Sequence, residues 1–178
     1  YRVSRDLERG RSPTVADALA AWTPRDGRLI VFGILLAFAG TGWVLTSASL
    51  ITGFAPAAVD RPLDFLRVVV LADTSQLFEA WLVLGGLLAA PVFASTVVAL
   101  PLLLDREVGV MAAVLTSWRV VMENPGALAL WAGLLLTLTL AGMLLALVGL
   151  VVVVPWLAHA SWHAYRDLVD AGALPERP

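Results

Sequence analysis

His159 and His163 are the only histidines in the chain, and their four-residue spacing puts both imidazoles on one face of a helix. Imidazoles so placed can ligate a metal or offer an axial ligand to a haem iron. No third or fourth ligand accompanies them, and interfacial histidines also serve by hydrogen bonding headgroups or backbone carbonyls. No cofactor is therefore expected, and haem or metal is the alternative that this pair leaves open. Pro155, one turn earlier, frees the carbonyl of Val151 and predicts a kink beside a polar pocket. Asp105, Arg106 and Glu107 form a second polar group, closing an apolar run abruptly. The simpler reading is solvated charges at a membrane boundary; the other is an ion pair locking the following helix onto the bundle. Arg5, Asp6 and Glu8 invite the same two readings.

Nucleotide loops, a Ser-His-Asp order, HExxH and carboxylate-rich metal patterns are absent from the sequence, so no catalytic residue is assigned and the chain is not read as an enzyme. It also lacks a basic aromatic surface for nucleic acid. Without cysteine it has no disulfide, thiolate metal site or cysteine nucleophile. Small residues are better organised. Gly85 with Ala89, Gly86 with Ala90 and Ala94, and the ladder Ala129, Gly133, Thr137, Ala141 recur every four residues, a spacing that lets helices approach closely. Internal packing is the simplest use of them, and a docking face for another membrane subunit is the second. Pro91 and Pro101 predict bends that could shape a groove for a lipid or a partner helix.

The elements that must position these residues are membrane helices. The chain is 60% hydrophobic and 15% charged, outside the range of ordinary globular domains. Residues 124–165, 42 in number, contain no Asp, Glu, Lys or Arg. One helix of that length would reach about 63 Å, twice the ~30 Å hydrocarbon core, so the stretch reads as two passes and a turn at 146–149. The expected fold is all-α: residues 1–178 form a single integral-membrane domain, a polytopic transmembrane helix bundle with passes at about 29–54, 80–104, 127–145 and 148–165. Ten of the twelve arginines fall on the side of both termini, which the positive-inside rule places in the cytoplasm of a bacterial inner membrane. Trp81 and Phe78 suit an aromatic anchor at the opposite interface.

Two amphipathic cytoplasmic helices are expected, at about 13–22 and 108–123. Both carry Ala-x-x-Leu-x-x-Trp, as Ala16, Leu19, Trp22 and as Ala112, Leu115, Trp118, and each leads through Pro24 or Pro125 into a pass. The pattern implies a repeat of cytoplasmic helix, pass out and pass back. In the second copy Met111, Val114, Leu115, Trp118, Val121 and Met122 make one apolar face, and the helix is expected to lie flat among the inner headgroups. Residues 61–79 form a third amphipathic segment, on the outer side.

The stretches PLLLDREVGVMAAVLTSWRVVMENPGALALW (101–131) and VVVVPWLAHASWHAYRDLV (151–169) resemble domain-of-unknown-function family twenty-one eighty-nine, an uncharacterised bacterial membrane family. YRVSRDLERG (1–10) is similar to its central cytoplasmic segment. The resemblance, read as covering nearly the whole chain with the second half specific, implies two further passes before Tyr1, six in three hairpins, so that this chain is the C-terminal two thirds. It implies no reaction and transfers no catalytic residue.

Within the expected hydrocarbon zone the polar groups are hydroxyls, including Thr41, Thr46, Ser47, Ser95, Thr96, Thr137 and Thr139. Ion-coupled transporters usually need titratable groups there. The leading expectation is a non-catalytic accessory or scaffolding subunit of a respiratory or photosynthetic inner-membrane complex, with membrane lipids and other integral membrane subunits as partners and no nucleic acid. A small-solute or lipid permease-like protein and a haem or metal protein using His159 and His163 are the alternatives.

Overall fold

In hydrocarbon every backbone N–H and C=O must be satisfied within the protein, and the apolar runs accordingly form helices. A computed structural model of the chain describes residues 1–14, 16–17, 26–72, 76–145 and 147–177. The elements are α1 (Arg2–Glu8), α2 (Gly27–Phe54), α3 (Pro62–Phe65) continuing into a π-helical turn Leu66–Val70, α4 (Leu77–Thr96), α5 (Ala99–Asp105), α6 (Val110–Glu123), α7 (Pro125–Leu144) and α8 (Leu150–Leu168). The expected interfacial helix at 13–22, with Leu19, Trp22 and Pro24, lies largely outside the described residues.

The fold is all-α. Among the described residues three helical stretches are long and apolar enough to cross a membrane: Gly27–Phe54, Leu77–Asp105 and Pro125–Leu144. The expected fourth pass is helical as α8 but is not one of these. Its first five residues are Leu and Val, whereas His159, His163, Arg166 and Asp167 further on lower its hydropathy.

The second span is interrupted between α4 and α5. Pro101 has no N–H to give the carbonyl of Val97, and its ring clashes with that carbonyl. The break falls at 97–98. There the backbone N–H of Val98 donates to the buried Ser117 hydroxyl of α6, 3.1 Å away.

The chain divides into two compact units, Tyr1–Val31 with Phe93–Pro178, and Phe32–Val92. In the Phe32–Val92 unit, Trp81 donates its indole N–H to the Ser47 hydroxyl at 2.7 Å. Its ring lies against Trp43, Phe65 and Phe78. Gly85 makes room for Trp43, whose ring would stand 3.1 Å from a Cβ placed there. Trp81, expected as an interfacial anchor, is half-buried and also packs within this unit.

In the other unit α5 is buried through Ala99, Pro101, Leu102, Leu103 and Asp105. Helix α6 has three sectors at about 100° per residue. Ala113, Ser117 and Val120 are buried, Met111, Leu115, Trp118 and Met122 form an exposed apolar sector, and Arg119 and Glu123 pair at 2.8 Å in a polar one. The apolar face expected from the sequence is therefore directed outward, while small residues of another sector face inward. Helices α7 and α8 form a hairpin whose backbones touch: a Cβ on Gly149 would lie 2.8 Å from the Cα of Gly142. In the same turn Leu147 adopts a left-handed φ of 66°, which is sterically costly for an L-residue.

Candidate functional site

A helix leaves its last carbonyls without intrahelical donors, and its C-terminus attracts cations. At the end of α5 arginines from distant parts of the sequence supply both needs. Arg5 on α1 donates to the carbonyl of Leu104 at 2.8 Å, and Arg177 donates to that of Leu103 at 3.1 Å. The backbone N–H of Arg177 reaches the carbonyl of Asp105 at 3.0 Å, and the N–H of Glu107 reaches that of Pro175 at 3.0 Å. Residues 175–177 thereby clasp 105–107, with an antiparallel bridge between Arg106 and Glu176.

The Asp105 carboxylate stands at the centre of this end. It accepts from the Tyr165 hydroxyl at 2.9 Å and from Arg106 Nε at 3.0 Å. Arg9 and Arg166 approach it at 3.6 and 3.7 Å. Arg106 donates to the carbonyl of Leu174 and lies 3.6 Å from Glu176. Burial opposes the charge on Arg106, but the hydrogen bond and charge of Asp105 outweigh it and hold the guanidinium above its ordinary range. Asp26, just before α2, pairs with Arg28 at 3.2 Å and Arg177 at 2.7 Å. Burial would raise its carboxyl, yet hydrogen bonds from Arg28, reinforced by Arg177, keep it below the usual carboxylate range.

The reading of Asp105, Arg106 and Glu107 as solvated charges is corrected for the first two, which are 2% and 6% exposed; Glu107 alone stays in the open. The partners that bury them come from α1, α8 and residues 169–177 as well as from residues adjacent in sequence. Nothing in the sequence singles out Arg9, Tyr165, Arg166, Glu176 or Arg177. The one signal that points toward them is an acid and a base placed directly at the end of an apolar run.

Helix α1 seats on α8. Glu8 accepts from Trp162 Nε1 at 2.8 Å and from Arg166 Nε at 3.0 Å, and the Ser4 hydroxyl is 2.9 Å from His159 Nδ1. The expected histidine pair is brought together, with Nε2 of His159 and Nε2 of His163 3.3 Å apart on an exposed part of α8. Among the described residues no group of three or more His, Cys, Asp or Glu side chains gathers as a metal site.

The small-residue sets divide. Gly85 is used against Trp43, whereas Gly86, Ala89 and Ala90 on α4 and Ala129, Gly133, Thr137 and Ala141 on α7 are exposed. Thr137 turns its hydroxyl back to the carbonyl of Gly133 at 2.8 Å. Ser95 accepts from the indole N–H of Trp118 on α6 at 2.9 Å, a helix-to-helix bond. A cavity of about 300 Å³ opens among Phe93, Leu100, Trp131, Leu135, Val154 and Leu157, with Tyr1, Thr96 and Ser161 also in its wall.

Residues 1–105 match the model of the family DUF2189, described as a predicted integral membrane protein. The matched part includes 1–10 but only the beginning of 101–131 and none of 151–169, so the family assignment rests on the N-terminal part and not on the stretches expected to carry it. No curated protein and no solved structure matches the chain.

Proposed function

Since the chain belongs to the DUF2189 family of predicted integral membrane proteins, we propose that it is a non-catalytic accessory or scaffolding subunit of a larger bacterial inner-membrane complex, respiratory or photosynthetic. The observation that carries this reading is how little of its spanning surface the chain covers by itself. Only 6% of the most apolar window of Gly27–Phe54 and 11% of that of Pro125–Leu144 are buried. The exposed ladder Ala129, Gly133, Thr137 and Ala141 adds a shallow strip on which another membrane helix could approach closely. The polar end at Asp105 directs its donors to internal carbonyls and carboxylates, an arrangement suited to holding elements together. The arginine distribution supports an orientation with both termini in the cytoplasm.

Purification from the native membrane in mild detergent is expected to bring down other integral membrane subunits in fixed ratio. A lone monomer under those conditions would overturn the proposal. The cavity supports a second reading, a lipid or small-solute permease-like protein. Its lining is largely apolar, which favours a lipid chain over a polar solute. Uptake into vesicles reconstituted with this chain alone would favour that reading over the first.

A further inference from the structure

We propose that His159 and His163 form a two-histidine chelate for a borderline divalent transition-metal ion of the Zn²⁺ type. The two Nε2 atoms stand 3.3 Å apart, within reach of a shared proton, and a divalent cation would take that proton's place. Zinc–nitrogen bonds of 2.0–2.1 Å meeting at a tetrahedral angle would place two ligand nitrogens roughly 3.3 Å apart, whereas a right-angled arrangement would need about 2.9 Å. The rings therefore already stand at a tetrahedral bite. Their planes lie 88° apart, which is no obstacle because a ligating imidazole can turn about its metal–nitrogen bond.

Ser4 supplies the orienting contact. Its hydroxyl stands 2.9 Å from His159 Nδ1 and can accept from that nitrogen when it carries the proton, the tautomer that leaves the lone pair on Nε2 for a metal. Ser4 is itself buried on α1, and Glu8, one turn on, fixes α1 against Trp162 and Arg166. Both histidines are exposed on the surface of α8, so no protein side chain blocks an ion from them, and water or a headgroup oxygen would complete the coordination. Binding there would also tie α1 more firmly to α8.

The test is equilibrium dialysis of the metal-stripped full chain in mild detergent against Zn²⁺ alone. One equivalent is expected for the wild type, lost in His159→Gln and in His163→Gln, and bound roughly 10-fold more weakly in Ser4→Ala. Co²⁺ in place of Zn²⁺ should give the visible absorption of a tetrahedral site. Helical circular dichroism and a single gel-filtration peak separate loss of the site from loss of the fold. Should a variant fail to fold, the wild type provides its own readout: Zn²⁺, but not Mg²⁺, should slow modification of the two histidines by diethylpyrocarbonate. No Zn²⁺ uptake by the wild type, an equivalent retained in folded His159→Gln or His163→Gln, or unprotected histidines would each overturn the site.

Discussion

Asp105 draws together more of the chain than any neighbour in sequence could: Arg9, Tyr165 and Arg166 converge on its carboxylate alongside Arg106. A buried ion pair is a weak source of net stability, but removing one partner leaves the other charge stranded. Asp105→Ala is therefore expected to cost about 3–5 kcal/mol. Glu107→Ala, at an exposed position, should stay within about 0.5 kcal/mol of wild type. SDS-titrated unfolding in mixed micelles measures both, and equal effects would count against the network. The sequence marks Asp105 and Arg106 as a boundary, because an acid and a base after an apolar run are visible locally. It does not show their burial, since the covering groups lie far away along the chain and leave no periodic trace. Ser117 is hidden for a similar reason: a hydroxyl inside an amphipathic helix does not announce that it receives the N–H of Val98.

Helix α6 shows how an element can satisfy three surroundings at once. Its small sector meets the protein, its large apolar sector is open, and Arg119 and Glu123 occupy the remaining side. Such a helix fits the edge of a bilayer, with lipid on one flank and water on another. The chain has no cysteine, so single spin labels can be placed freely. Labels at Leu115 and Met122 should be relaxed by oxygen, and labels at Thr116 and Arg119 by a water-soluble nickel complex; indistinguishable profiles would exclude an interfacial position. The three-and-four spacing makes the apolar face legible from sequence. Which face meets protein is not, because Ala113, Ser117 and Val120 look unremarkable beside Met111 and Trp118, yet their small size is what lets α6 approach α5. The α7 ladder is the converse case, a packing pattern plain in the sequence whose residues remain uncovered.

At the scale of the whole molecule, the polar end constrains the path of the last helix. Tyr165 near the end of α8 touches Asp105 at the end of α5, and residues 175–177 clasp 105–107. Were α7 to cross the membrane, α8 would have to travel back to reach them, and its 19 residues extend about 28 Å, close to a hydrocarbon thickness. In its second half Trp162, Tyr165 and Ser161 are buried and α1 bonds to Trp162 and His159 through Glu8 and Ser4, while His159, His163 and Arg166 stay exposed. Impermeant thiol labelling of single cysteines tests this. Positions 60 and 147 should react from outside intact cells, and 107 and 170 only after permeabilisation. Reaction of 147 and 170 from the same side would rule out a returning α8. The number of apolar runs can be counted from sequence, but hydropathy does not report that α8 brings Tyr165 back to Asp105.

The clasp also sets an order of events during synthesis. Arg177 caps the carbonyl of Leu103 across 74 residues, and Arg9 meets the carbonyl of Arg177 across 168. At 5–20 residues per second the ribosome needs roughly 4–15 s to bridge the shorter of those separations. Throughout that interval Arg106 and Asp105 have only part of their eventual company, and the end of the second span must wait, hydrated, at the membrane surface. Closure of this polar end therefore waits for residues 175–177, and a nascent chain stalled before residue 175 would hold inserted helices whose polar end has yet to close.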